Sequence, residues 1–232
     1  MGLLTNQRIQ QHLGGGLMER LGINLLSQMQ MIFLGSHKDR DVLRLIRRVR
    51  RERQSLLTAF ESFMIYSLVR SVCDRSGEMA EVGVFRGGSA KLICEAKGDK
   101  PLYLFDTFEG LPRACAADGR VHRKHQYTCS LDSVREYLSS YPNVHFAKGL
   151  FPDTAGLIEE KRFCFAHFDV DLYESTKGCL EFFYPRMEPG GVMISHDYSL
   201  LAGVRQAFGE FFAERPEGII ELPTSQCMVV KL

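Results

Sequence analysis

In the stretch Glu81-Val-Gly83-Val84-Phe-Arg-Gly87-Gly88-Ser89, a carboxylate is followed by closely spaced glycines and a serine. Glycine admits left-handed backbone and close approach, so this stretch is built to bring main chain against a ligand. It is not the G-x-G-x-x-G fingerprint of dinucleotide sites, and a carboxylate here repels a pyrophosphate resting on the next helix N-terminus. A ligand with an ammonium group beside a carboxylate fits better: Glu81 serves the ammonium, while N–H groups around Gly87, Gly88 and Ser89, with the helix dipole, serve the carboxylate. Gly83 and Val84 flank the same pocket. Further along, Asp106-Thr107 closes the apolar run "PLYLFD". A carboxylate at such a strand end accepts from both hydroxyls of a ribose, although an acidic residue there is also an ordinary helix cap. An amino-acid end followed by a ribose describes S-adenosylmethionine.

These residues have to be delivered by strand ends. "MAEVGV", "PLYLFD", "NVHFAKG", "RFCFAHFDV" and "GGVMISH" read as strands, separated by helices near 89–97, 132–140, 153–161 and 174–187. That alternation predicts βαβ units and a parallel sheet, because parallel neighbours need a crossover. After a helix with Val204, Ala207, Phe208, Phe211 and Phe212 on one face, "GIIEL" and "CMVVKL" are joined only by "PTSQ", which suits an antiparallel hairpin. The expected fold is α/β and Rossmann-like, with helices on both faces of the sheet and the last strand reversed. In such a sheet ligands bind outside the carboxyl ends of the strands.

Residues 1–54 differ in character from the rest of the chain and read as a helical extension, a lid or a dimer contact, ahead of a domain spanning 55–232. Within it "KDRDVLRLIRRVRRER" places Val42, Leu45, Ile46 and Val49 at helical spacing on a basic helix. A solvated face around an apolar stripe is the simpler account. A nucleic-acid-docking arm is the alternative, disfavoured because the stretch has no aromatic residue on which a base could stack. Thr58 and Glu61 form a capping box for a second helix, with Leu56, Phe60, Phe63, Met64, Leu68 and Val72 on the face expected to meet the sheet. The chain has 232 residues, 45% of them apolar, and a net charge of +1, so it can bury one substantial core and gives no whole-molecule reason to seek a polyanion. No apolar run spans a membrane, no secretory leader is evident, and the Met-Gly start lacks the Ser or Thr of a myristoylation signal. A cytoplasmic protein is expected. The seven scattered cysteines read as reduced thiols. Cys115, His122, His125 and Cys129 lie close in sequence, yet lack the paired spacings of a zinc site and read instead as part of a polar active-site loop.

Taken together and in order, "EVGVFRGGSA", "LYLFDTFEGLP", "KGLFPDT", "HFDVDLYEST", "FFYPRMEPGGV" and "HDY" resemble the macrocin O-methyltransferase (TylF-like) family of class I S-adenosylmethionine-dependent methyltransferases. The resemblance covers about residues 55–232. It implies a seven-stranded sheet with the last strand antiparallel, and methyl transfer to a hydroxyl of a small molecule, typically a sugar on a natural product. It also implies magnesium bound by an Asp after the fourth strand and an Asp-Asp pair after the fifth. Those positions are Asp169, His196 and Asp197, so an imidazole stands where the family has a carboxylate. Magnesium prefers oxygen ligands, whereas imidazole suits manganese and other transition metals better. Either the metal differs, or Asp169, Asp197 and water hold it, or His196 acts as a metal-free base. The expected catalytic residues are Asp169, His196 and Asp171, the last of which reads equally as a cap for the helix near Glu174. Asp169 also borders the cofactor. Tyr198 and the 112–130 loop are expected to cover the acceptor. An RNA or protein methyltransferase and a non-catalytic cofactor-binding homologue are the competing readings, and a homodimer through the N-terminal region is expected.

Overall fold

The computed structural model describes residue 10 and residues 17–53, 55–119 and 121–232. The Met-Gly start therefore lies outside the described residues. Strands β1 (Glu78–Val82), β2 (Leu102–Asp106), β3 (Val144–Lys148), β4 (Phe163–Phe168), β5 (Met187–Ser195), β6 (Ile220–Glu221) and β7 (Cys227–Val230) form one sheet in the order β3-β2-β1-β4-β5-β7-β6. The first five are parallel, and β7 runs antiparallel to both β5 and β6. The order reverses between β1 and β4, which is where a crevice opens at the carboxyl edge.

Strand alternation divides the core into two layers. On one face Met79, Leu102, Leu104, Phe165 and Ile194 meet α2 (Arg40–Glu52), α3 (Ala59–Val72), α4 (Gly88–Ala96) and α5 (Leu131–Tyr137). On the other, Ala80, Val82, Phe105, Ala166, Phe168 and Met193 meet α6 (Tyr173–Phe183) and α7 (Ala202–Phe212). An N-terminal helix, α1 (Leu17–Gly35), lays Met31 and Leu34 against the first layer. In α2, Leu43, Leu45, Ile46 and Val49 are buried. Some of its cations are engaged within the chain: Arg44 pairs with Asp41 and Arg48 with Glu95, and Arg53, just past the helix, donates to the Ser133 hydroxyl and carbonyl.

Four expectations are corrected. The helix expected at 153–161 is one 3-10 turn, Ala155–Ile158, since Pro152 before it and Gly156 within it oppose a longer helix. The helix expected at 174–187 ends at Phe183, where Pro185 forces a 3-10 turn. Strand β6 has two exposed residues rather than five, ahead of Pro223. The Thr58–Glu61 capping box is present, but α3 buries Glu61, Ser62, Ile65, Val69 and Val72. Phe60, Phe63 and Leu68 are only partly buried at the margin of this layer, Phe60 with Phe33 of α1 at 6.0 Å and Phe63 under Lys38, because this helix is apolar on two sides.

The C-terminus is clipped down by Glu217, which is 4% exposed and accepts from Lys231 Nζ at 2.5 Å, Tyr184 Oη at 2.9 Å and the Leu232 N–H at 3.4 Å. Burial raises its pKa, but the Lys231 bond and the other donors outweigh that and hold it at about 2. A depressed carboxylate pKa stabilises the fold above its unfolded value, near 4.3, and that contribution is lost as pH falls towards 2. Glu217→Gln is therefore expected to cost about 2 kcal/mol at pH 7, read from the urea midpoint, with the difference shrinking as pH falls below ~4. A gap unchanged at pH 2.5 would assign the loss to packing alone.

Candidate active site

The ends of β1, β2, β4 and β5 open into a cavity of about 850 Å³. After β1 the chain enters the glycine loop. Gly83 has φ +88°, and a Cβ there would overlap the carbonyl of Asp169, so only glycine lets the ends of β1 and β4 come this close. Gly87, at φ +80°, N-caps α4. Gly83, Val84, Gly88 and Ser89 line the cavity, as do Asp106 and Thr107. Asp106 binds the glycine loop: its Oδ2 accepts from the N–H groups of Val84 and Phe85, both at 2.8 Å, and its Oδ1 from that of Phe108 at 2.6 Å. The carboxylate thus organises the pocket wall, beyond the ribose contact read from the sequence.

Glu81 is not on the wall. It is fully enclosed behind β1, with Oε1 2.8 Å from His167 Nδ1 and Oε2 without a hydrogen-bond partner. The direct ammonium contact expected of Glu81 is corrected to a position behind the cavity, because strand alternation turns residue 81 to the α3–α4 side.

Asp169, Asp171, His196 and Asp197 line the same cavity. His196 Nδ1 lies 3.0 Å from Asp197 Oδ2 and 3.7 Å from Asp169 Oδ1, and Nε2 lies 3.3 Å from Glu61 Oε2. Burial lowers the His196 pKa, but Asp197, Asp169 and Glu61 outweigh it and raise it well above its ordinary value. Burial raises Asp169, with His196 opposing and Asp197 adding to the effect. Asp171 is raised well above the ordinary carboxylate range by burial and then by the charges of Asp197 and Asp169. Glu61 goes the other way: burial is outweighed by His196 and by hydrogen bonds from Ser225 and Thr58, which keep it ionised.

The capping role considered for Asp171 is taken by another residue. Asp118 reaches from the 112–130 loop to accept the Tyr173 N–H at 2.6 Å, and its Oδ2 accepts the Cys115 N–H at 2.8 Å. One side chain thus caps α6 and pins the loop, freeing Asp171, at φ +62°, to face the cavity. In the loop His122 lines the cavity, whereas His125 is exposed with Nδ1 3.0 Å from the Glu109 carbonyl. Cys115, His122, His125 and Cys129 are not gathered; among the described residues Asp169, His196 and Asp197 form the group that could hold a metal, with ligand atoms within 4.8 Å of one another. Tyr198, expected over the acceptor, turns away to pack on Phe208 at 5.9 Å with Arg205 over its ring. The cavity is closed by residues the sequence did not point to. Gly22, Ile23, Leu26 and Gln30 form one face of α1, and Thr224 and Ser225 come from the β6–β7 turn. Glu61 was visible only as a cap.

A model of the macrocin-O-methyltransferase (TylF) family matches residues 65–223. The chain is 34% identical over 140 residues to a tetracenomycin-C rhamnosyl 4'-O-methyltransferase of Streptomyces olivaceus, covering 53% of this chain and 54% of that protein. It is 32% identical over 153 residues to mycinamicin III 3''-O-methyltransferase of Micromonospora griseorubida, covering 58% and 60%. The chain thus matches little more than half the length of these curated relatives. Among solved structures, that of the O-methyltransferase NovP superposes with a TM-score of 0.68 at 26% identity, covering 76% of this chain and 81% of that one. The sheet order and its reversed β7 are those expected of the class I methyltransferase fold.

Proposed function

The chain belongs to the macrocin O-methyltransferase (TylF) family, and from that premise we propose that it methylates a hydroxyl of a small molecule, a sugar of a glycosylated natural product, using S-adenosylmethionine. The observation that carries this reading is one cavity lined both by the glycine loop and Asp106 and by Asp169, His196 and Asp197. The relatives' acceptors, rhamnosyl-tetracenomycin and mycinamicin III, support the sugar class.

The sulfonium methyl is already activated, so the protein has to hold the acceptor oxygen in line, exclude water and take one proton. Asp169 is assigned as the base: its carboxylate accepts the hydroxyl proton as the oxygen–carbon bond forms and the carbon–sulfur bond breaks, releasing S-adenosylhomocysteine. Burial, by raising its pKa, brings Asp169 nearer to the working pH of a base. His196 is less suited to that step, since both edges of its ring face other carboxylates, Glu61 at 3.3 Å and Asp197 at 3.0 Å. The half-buried Asp171 beside Asp197 adds to the polar lining around the acceptor. Phe85, Tyr127 and His122, in edge-to-face contact at 5.8 and 6.2 Å, and Ile23 and Leu26 of α1 wall the acceptor from water.

The donor set suits a divalent cation: Asp169, His196 and Asp197 converge, and neither His196 ring nitrogen has a well-formed hydrogen bond. One nitrogen and two carboxylates favour manganese over magnesium. When bound, such a cation lowers the pKa of a hydroxyl held beside it.

The pairing of Arg48 with Glu95 and of Arg53 with Ser133 weighs against an RNA-docking arm. The outward stripe Leu17, Leu21, Leu25, Met29 and Ile32 of α1 is 54–79% exposed and continuous, and we assign it to a homodimer contact. Light scattering of wild type against Leu25→Glu/Ile32→Glu tests it, and equal masses would remove it. The seven unpaired cysteines and the lack, among the described residues, of a helix able to cross a membrane support a cytoplasmic location.

The deciding assay incubates the protein with S-adenosylmethionine, manganese and a panel of deoxysugar glycosides, free deoxysugars and phenols. A mass gain of one methylene on a glycoside is the expected result. Methylation confined to phenols would sink the sugar assignment, and no calorimetric heat with S-adenosylhomocysteine would sink the methyltransferase reading, including the non-catalytic version.

A further inference from the structure

Glu61 lies just ahead of the residues that match the family, yet it touches the centre of the site. It is 4% exposed and held from two sides: Oε2 accepts from the Thr58 N–H and hydroxyl, both at 2.8 Å, and Oε1 from the Ser225 hydroxyl at 2.7 Å and N–H at 3.3 Å. The start of α3 and the β6–β7 turn thus fix this carboxylate, and its Oε2 lies 3.3 Å from His196 Nε2. On the opposite edge of the ring, Nδ1 faces Asp197 at 3.0 Å and Asp169 at 3.7 Å. A histidine ring turns easily about its second side-chain torsion, so its orientation follows the groups on either edge. A neutral imidazole carries one N–H, and an ionised carboxylate can only accept.

We propose that Glu61 is a positioning residue that draws the His196 N–H to Nε2 and leaves the Nδ1 lone pair facing Asp169 and Asp197, making Nδ1 the ring's donor atom in that cluster. This rests on the reading of the cluster as a cation-holding centre. A carboxylate behind a ligating histidine is a recurrent way to fix both tautomer and ring direction. Glu61 differs from an ordinary helix cap in that one of the oxygens used for capping is also the one nearest the imidazole. The geometry therefore couples the N-terminus of α3 to the catalytic cluster.

The test uses full-length protein stripped with a chelator, titrated calorimetrically with manganese chloride. In parallel, long-range proton–nitrogen spectra of the zinc-loaded, nitrogen-15-labelled protein report which His196 nitrogen carries the proton, with signals assigned through His196→Asn. The wild type is expected to show zinc on Nδ1 and the proton on Nε2. Glu61→Ala is expected to weaken manganese binding by about 10- to 100-fold and to mix the two tautomers. Glu61→Gln, whose amide oxygen still accepts, should keep the wild-type tautomer. Ile65→Val loosens the same helix without removing the carboxylate and should leave affinity unchanged. Zinc on Nε2 in the wild type, or wild-type affinity in Glu61→Ala, would overturn the proposal, as would an equal loss in Ile65→Val. Failure of the wild type to bind either metal is a different result, because it overturns the cation centre itself and with it the role of Glu61.

Discussion

Asp169→Asn is expected to lower kcat for methyl transfer by about 10³-fold while leaving S-adenosylhomocysteine binding within about threefold. The substitution preserves shape and the backbone bond from the Asp169 N–H to the Val82 carbonyl, which sets the close approach of β4 to β1 at Gly83. What is lost is an acceptor for the hydroxyl proton, and a positioned base contributes about 10²–10⁴-fold. The same change removes one carboxylate from the group with His196 and Asp197, so manganese affinity should fall as well. Saturating manganese would restore rate if Asp169 were only a ligand, whereas the loss should persist if it is the base. If Asp169 is the base, the loss should be carried by kcat rather than KM, because a base acts on the acceptor in the transition state. A variant that retains more than a fifth of wild-type kcat at every manganese concentration would remove Asp169 from the role of base.

The strand ends were legible because short apolar runs separated by helical segments are read directly from the chain, and Asp106, Asp169 and Asp197 stand on or just after them. Glu81 was misplaced by the same logic. A residue inside β1 has its side chosen by alternation, and the partner that settles it, His167, comes from β4, eighty-six positions away. Glu61 shows another limit. The local capping pattern explained it completely, so nothing in the sequence called for a second role, and its contact with His196 exists only once α3 is laid across the sheet. Asp118 was hidden differently. It caps α6 from fifty-five residues upstream in sequence, and a local reading gave that role to the adjacent Asp171. The α1 wall of the cavity was illegible for a fourth reason: α1 has one face on the cavity and another in solvent, so its apolar pattern is broad and does not point to one partner.

Asp106→Ala is expected to weaken S-adenosylhomocysteine binding by about 3 kcal/mol, roughly 150-fold. Two contributions add. The first is the ribose, whose hydroxyls would donate to oxygen lone pairs that the backbone leaves free. The second is the loop: Val84 and Phe85 donate to Oδ2 and Phe108 to Oδ1, and both phenylalanines sit at positive φ, 47° and 55°, a conformation that needs such support. The two can be separated with a 2'-deoxyribose analogue of the ligand. If Asp106 contacts the ribose, the missing hydroxyl should weaken binding to wild type by about tenfold and bring little further loss in Asp106→Ala, which is a double-mutant cycle with a coupling near 1 kcal/mol. If Asp106 acts only on the loop, the two losses should add. Because Val84 and Phe85 would lose a partner in the free protein as well, Asp106→Ala should also lower the urea midpoint, whereas a pure ribose contact leaves it unmoved. Calorimetry giving Asp106→Ala the wild-type dissociation constant would show that the cofactor does not lie across the end of β2, and the assignment of that end of the cavity would fall with it.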